Sequence, residues 1–374
     1  MPDAVLRAMH RASPNIYEGE LHDLTASLIP DLQAVARTKA QVAIYIGNGH
    51  AAWEASLTNI LSRGDTVLVL ATGRFCIGWG EVAAGLGARV ETLNFGESAP
   101  IDLDKVAEYL ADDKTHRIKA VLAVHVDTST SVKNDIPGLR RVLDDVAHPA
   151  LLCVDCIASL GCDRFEMDDW GVDLMVAGCQ KGLMTPAGLS FVWFNEKADA
   201  ARGDCVTRYW DWRPRAAPAQ YYQYFYGTAP THHLYGLRAA LDMIIAEGLD
   251  NVFARHATLA QTIWAAFDRW SVQGPLHLNI AEPAQRSHAV TSAGVGSPLG
   301  DDLRRWCEHK CGLTLGIGLG RTPTDAYFRI GHMGHVNPPM ILGALATIDA
   351  GLKALQIPHG RGALEAAAQV IAAA

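Results

Sequence analysis

From about residue 42 to residue 200 the chain alternates short apolar runs with stretches of helical spacing. The runs are Val42–Ile46, Thr66–Leu70, Arg89–Leu93, Ala120–Val124, Leu151–Val154, Leu174–Ala177 and Leu189–Phe194. A strand buried on one face alternates polar with apolar residues; most of these runs are continuous, as expected of strands buried on both faces. Between them Ala51–Ser62, Trp79–Leu86, Leu103–Leu110 and Gly138–Val146 carry helix periodicity. The order predicts an α/β fold with a doubly wound, mainly parallel sheet, in which ligands bind outside the carboxyl ends of the strands. Tyr209–Tyr226 breaks the pattern: aromatic and proline-rich, it reads as a long functional loop. Helical spacing returns over Thr231–Glu247 and Val252–Trp270. Short strands and helices follow Pro275 and end in Pro339–Leu355 and an alanine-rich terminal helix. The division expected is a large domain over residues 1–255 and a small C-terminal α/β domain over 256–374.

A chain of 374 residues, 49% apolar and 19% charged, can bury a sizeable core. Its net charge of −8 comes without any Lys/Arg-rich block, which argues against nucleic acid or an anionic membrane as partner. No apolar run approaches a bilayer span, and Met1-Pro2-Asp3-Ala4-Val5-Leu6-Arg7 lacks the apolar core of a signal peptide, so a cytoplasmic location is expected. Cys153 and Cys156 have the spacing of a metal or redox pair, but no second pair completes a zinc set, and no metal is expected. Cys307 and Cys311 fall one helical turn apart and read as packing residues.

Two residues carry the chemistry. Asp155 closes the run Leu151–Val154, and Lys181 follows the run Leu174–Ala177. An acid and a lysine at the ends of buried strands are what a pyridoxal phosphate enzyme needs. The lysine amine condenses with the cofactor aldehyde, and the carboxylate keeps the pyridine nitrogen protonated so that the ring accepts electrons. Each alone has a plainer reading, as a structural acid or a solvated lysine. Gly47-Asn48-Gly49-His50, between a strand and a helix, offers backbone N–H groups to a phosphate, or is simply a tight turn. The third glycine of a dinucleotide fingerprint is absent, since Ala52 holds its place. Phe75 follows another strand end and could stack on the cofactor ring or pack in the core. Arg329, flanked by apolar residues at the end of a short strand, suits a substrate carboxylate better than a surface salt bridge. Gly316-Ile317-Gly318-Leu319-Gly320 reads as a flexible loop.

Taken together, these residues resemble the class V aminotransferases of pyridoxal phosphate fold type I, closest to the serine–glyoxylate and alanine–glyoxylate branch. The resemblance rests on Val154-Asp155-Cys156-Ile157-Ala158-Ser159-Leu160-Gly161, on Trp170-Gly171-Val172-Asp173 through Gln180-Lys181-Gly182-Leu183-Met184, and on Tyr209-Trp210-Asp211-Trp212, Leu234-Tyr235-Gly236-Leu237-Arg238 and Phe328-Arg329-Ile330-Gly331-His332. It implies that Lys181 is the Schiff-base lysine and proton carrier and that Asp155 pairs with the pyridine nitrogen. Ile157 would pack on a ring face, with Phe75 at a position where the family often stacks an aromatic. Gly49, His50 and Gln180 would serve the phosphate, and Thr128 the phenolic oxygen. Thr228 would reach the cofactor of a second subunit, making a homodimer, and Arg329 would hold the substrate α-carboxylate. The family's Tyr-Thr-Pro reads Gly227-Thr228-Ala229 here, with Tyr226 one place off. Its Gly-Pro-rich opening loop has no match at Met1-Pro2.

The activity implied is a ping-pong transamination from serine or alanine to glyoxylate or pyruvate. Tyr209–Tyr226 and His332 are candidates for shaping a small pocket. Two alternatives are a lyase of the same fold, such as a cysteine desulfurase, and a non-catalytic cofactor-binding protein. A desulfurase needs a nucleophilic cysteine on a mobile loop, and Cys307 and Cys311 sit in a helical pattern instead.

Overall fold

The computed structural model describes residues 1–374. Seven strands form the main sheet: β1 (Gln41–Gly47), β2 (Thr66–Ala71), β3 (Arg89–Asn94), β4 (Ile118–Val124), β5 (Leu151–Asp155), β6 (Leu174–Gly178) and β7 (Gly188–Phe194). Their spatial order is β1-β7-β6-β5-β4-β2-β3. The run from β3 to β6 is parallel, and β7 lies antiparallel between β6 and β1. All seven apolar runs became strands, and the doubly wound α/β expectation holds.

Successive residues on one strand enter different cores. Leu68 and Leu70 of β2 pack with the helix Glu20–Ala36 on one face, whereas Val67 and Val69 pack with Trp53 and Trp79 on the other. This two-sided burial is why the runs are continuous in sequence. After β3 the chain returns past β2 to β4 and then builds outward on the other side. The crevice between the carboxyl ends of β2 and β4 is therefore the topological switch point.

Three elements differ from their sequence readings. The helix expected from Trp79 begins at Arg74, because Asp127, far along the chain, accepts a hydrogen bond from Phe75 N at 2.9 Å and caps it. The helix Glu20–Ala36 had no counterpart in the sequence reading, and Pro30 stands inside it. An interior proline costs about 3 kcal/mol, and burial of Leu21, Leu28 and Leu32 at about 2 kcal/mol each outweighs it. Gly316-Ile317 is not a flexible loop. It is β10, paired with Arg329 and Phe328 of β11 (Tyr327–Gly331) in a four-stranded antiparallel sheet with β9 (Val290–Gly294) and β8 (His277–Leu278). The helix Leu249–Trp270 joins the two layers: Val252 belongs to the main core, Leu259 onward to the core under the second sheet.

The Tyr209–Tyr226 segment is a strap, carrying only the short helical turns Arg213–Ala216 and Tyr221–Tyr224. Arg215 holds it. The guanidinium is fully buried and donates to the carbonyls of Ile44 at 2.9 Å, Tyr209 at 2.7 Å and Tyr224 at 3.0 Å, while lying over the rings of Tyr45 and Tyr209. No carboxylate pairs with it. Carbonyls and ring faces supply the negative potential instead. Arg215→Leu leaves those carbonyls unmet, and urea unfolding should show a loss of about 3 kcal/mol.

Candidate active site

The carboxyl ends of the parallel strands surround a cavity of about 230 Å³ lined by Gly49, His50, Phe75, Thr128, Asp155, Ile157, Gln180 and Lys181, together with Trp53. Phe75 comes from the helix after β2, Thr128 from the turn after β4, and Asp155 is the last residue of β5. Gln180 and Lys181 follow β6, and Gly49 and His50 open the helix after β1.

Asp155 is 2% exposed and has no cation partner among the ion pairs of the chain. Its Oδ1 accepts from Ile157 N at 2.6 Å and its Oδ2 from Trp53 Nε1 at 2.8 Å. Burial pushes the carboxyl up from 3.8 to about 7, against the pull of those two donors; nearby Asp127 adds to the rise and Lys181 opposes it. The Lys181 amine is shifted the other way. Burial and then the charge of Arg329 lower its pKa, and Asp155 offsets part of this. The amine is thus biased toward its neutral, nucleophilic form.

At the start of the helix Gly49–Ile60, Asn48 Oδ1 accepts from His50 N at 3.1 Å, so this amide already serves as a local cap. A Cβ on Gly49 would stand 2.3 Å from Ile157 Cδ1, so glycine is what lets the helix start close over Ile157. Gln180 Oε1 is buried without a partner. Arg329 lies outside this cavity lining, in the middle of β11 rather than at its end. Its Nη1 donates to Thr128 O at 2.8 Å and its Nε to Ile317 O at 2.8 Å; no carboxylate binds it, and Nη2 makes no bond within the chain. The surface salt bridge is therefore ruled out.

Thr228 is exposed beside Tyr222 and Tyr17 and does not line the Lys181 cavity of its own chain. The Tyr226 hydroxyl accepts from Arg208 Nε at 2.8 Å. His332 does not shape a pocket: it is fully buried, and its ring bonds Thr291 Oγ1 at 2.9 Å and His288 O at 2.9 Å. Cys307 is sealed inside the helix Leu299–Cys311, and Cys311 is exposed at its last residue rather than packed; both are held on the helix, not on a mobile loop. The sequence reading missed two residues here, Trp53 and Asp127. Trp53 falls one turn after Gly49 and His50 on the same helix face, a spacing that could have revealed it. Asp127 has no local signal, because its partners Phe75 and Ser129 meet it only through folding and the turn.

These groups suit pyridoxal phosphate on structural grounds. A buried carboxylate lacks a cation, a lysine is biased toward neutrality, and a helix N-terminus opens into the same cavity. Residues 32–318 match the family described as Aminotransferase class-V. The chain belongs to the class-V aminotransferases. It is 35% identical over 372 residues to the serine–glyoxylate aminotransferase of Hyphomicrobium methylovorum, covering 97% of this chain and 91% of that one. It is 38% identical to the L-aspartate–glyoxylate aminotransferase of Paracoccus denitrificans, covering 91% and 87%. The crystal structure of pyridoxamine–pyruvate aminotransferase from Mesorhizobium loti superposes with a TM-score of 0.89 at 26% identity, over 100% of this chain and 94% of that one. This is a pyridoxal phosphate-dependent aminotransferase of fold type I.

Because the Asp155 pKa is raised in the folded protein, the folded state without cofactor binds this proton more tightly than the unfolded chain. Asp155 therefore contributes stability in full below about pH 4, and loses it as pH rises to about 7. In the apoprotein, Asp155→Asn should remove a decline of a few kcal/mol across that window, read from urea midpoints at successive pH values.

Proposed function

We propose that this aminotransferase moves the amino group of serine or alanine to a small 2-oxo acid, glyoxylate or pyruvate, by alternate half-reactions. The observation that carries the reading is the meeting of Lys181 and Asp155 in one small cavity, with the carboxylate-free Arg329 close enough to perturb the lysine. The names of the relatives at 35% and 38% identity support glyoxylate as acceptor.

When bound, pyridoxal phosphate supplies an aldehyde that condenses with amines and a ring that takes up the electrons of a broken Cα–H bond. The chain's residues do the rest. Asp155 holds the proton on the ring nitrogen, and that cation offsets the burial of the carboxylate. Phe75 and Ile157 confine the ring faces. The Gly49 amide and Gln180 would meet the phosphate, the His50 amide joining them on release from Asn48 Oδ1, and Thr128 would meet the phenolic oxygen. Arg329 takes the substrate α-carboxylate through its free Nη2. Lys181 Nζ would hold the cofactor aldehyde and, as a neutral amine, would take the substrate α-proton and return a proton. Thr228, exposed just after the strap, would serve the phosphate in a partner subunit, so the working unit is a homodimer.

A lyase reading has no comparable support, since the matched family is of aminotransferases and Cys307 is sealed. Cytoplasmic placement fits the eight free cysteines, and no helix is long and apolar enough to cross a membrane.

Serine, alanine and aspartate, each incubated with glyoxylate, test the donor. Glycine should form fastest from serine or alanine; formation from none of the three, or from aspartate alone, overturns the assignment. Lys181→Ala should lose both turnover and the visible absorption band of the holoenzyme. Asp155→Ala should fold and yet lose turnover by about a hundredfold or more.

A further inference from the structure

A second cavity, of about 740 Å³, shares no lining residue with the Lys181 cavity. Alternation at the end of β4 separates the two: Val124 and Val126 line the first, and His125 between them lines the second. Lys133 and Asp163 come from the main-sheet layer and His288 from the second-sheet layer. The layers are stitched at its rim by Lys133 N donating to Gln285 O at 2.9 Å and by a bridge between Val132 and Arg286.

The polar groups of this cavity are unequally used. Asp163, 1% exposed, accepts from Ser287 Oγ at 2.9 Å and His288 N at 3.0 Å. Asp135 accepts from Gly138 N at 2.8 Å as a helix cap. Both acids are thus occupied within the chain. The donors keep more capacity. Lys133 Nζ forms an ion pair with Asp163 at 3.8 Å, too long for a hydrogen bond, so its N–H groups have no acceptor within the chain. His125 is 2% exposed, and its Nδ1 is buried without a hydrogen-bond partner. Burial lowers its pKa to about 4, so the ring is neutral and offers one N–H. A buried polar group left unmet costs about 1–3 kcal/mol. Trp170 and Phe253 supply flat apolar walls beside these donors.

We propose that this cavity is a second binding site, for a small carboxylate with a flat apolar body, its carboxylate held by Lys133 and His125 and its body lying between Trp170 and Phe253. Contacts to both sheet layers make such a ligand a clasp between them. The two cavities adjoin at the end of the β4–β5 ladder, where His125 N donates to Asp155 O at 2.9 Å. The proposal does not depend on which amino donor the enzyme uses.

Phenylacetate is a suitable probe, because it has a carboxylate and a ring but neither amine nor oxo group. Titration calorimetry on the holoenzyme should show binding. Lys133→Ala and His125→Phe should each weaken it by about tenfold or more, with transamination retained. Arg329→Leu, which removes the carboxylate anchor of the first cavity, should leave probe binding unchanged. Lys133 is partly exposed, so its variant keeps the test intact should His125→Phe fold poorly. No binding at millimolar probe, binding lost in Arg329→Leu, or binding unaffected by Lys133→Ala overturns the proposal.

Discussion

A carboxylate buried at the end of β5 without a counter-cation is the constraint around which this molecule is arranged. Asp155 receives two neutral donors, the indole of Trp53 and the amide of Ile157, and neither brings its pKa back to the ordinary range. Inside a folded protein such a group is an energetic cost unless something cationic completes it. A cationic ligand group is what such a position favours, and the pyridinium of the family's cofactor would provide it. The lowered pKa of Lys181 is the complementary half. The same burial that disfavours the carboxylate favours a neutral amine, so one dry cavity sets both groups for opposite tasks.

Asp127 shows how the surrounding frame is fixed. Its carboxylate caps the helix Arg74–Gly85 through Phe75 N and folds the turn that carries Thr128 through Ser129 N. A Cβ on Gly73 would stand 2.4 Å from this carboxyl carbon, so the approach of helix to turn requires glycine there. One buried acid thereby orients an aromatic wall and a polar wall of the cavity, which come from different strands.

The second sheet meets the main sheet beside the site through Arg329. This β11 residue spends Nη1 on Thr128 O and Nε on Ile317 O, which ties that layer to the main sheet and leaves Nη2 without a bond. The proposed anchoring of substrate and the contact between layers therefore share one side chain. The strap works in a comparable way: Arg215 binds it to β1 through Ile44 O, and this sets where the segment ending at Thr228 leaves the surface.

Much of the fold was legible because continuous apolar runs have one stable solution at this length, a parallel sheet covered on both faces. The strand-end positions of Asp155 and Lys181 followed from the same pattern. What was illegible depends on contacts between distant segments. The start of the helix at Arg74 is set by an acid more than fifty residues away, and the helix around Pro30 survives because of what it buries rather than what it prefers. Gly316-Ile317 looks like a flexible loop until β11 supplies its hydrogen bonds. His332 has the sequence neighbourhood of a pocket residue, yet folding seals it against Thr291 and His288. Sequence alone determined which layers form and which residues reach the strand ends, since period and hydrophobicity are local properties. Only the tertiary structure decided which donors Asp155 receives, which polar groups remain unmet and where Arg329 points, because those depend on side chains that become neighbours only when the sheets and helices close.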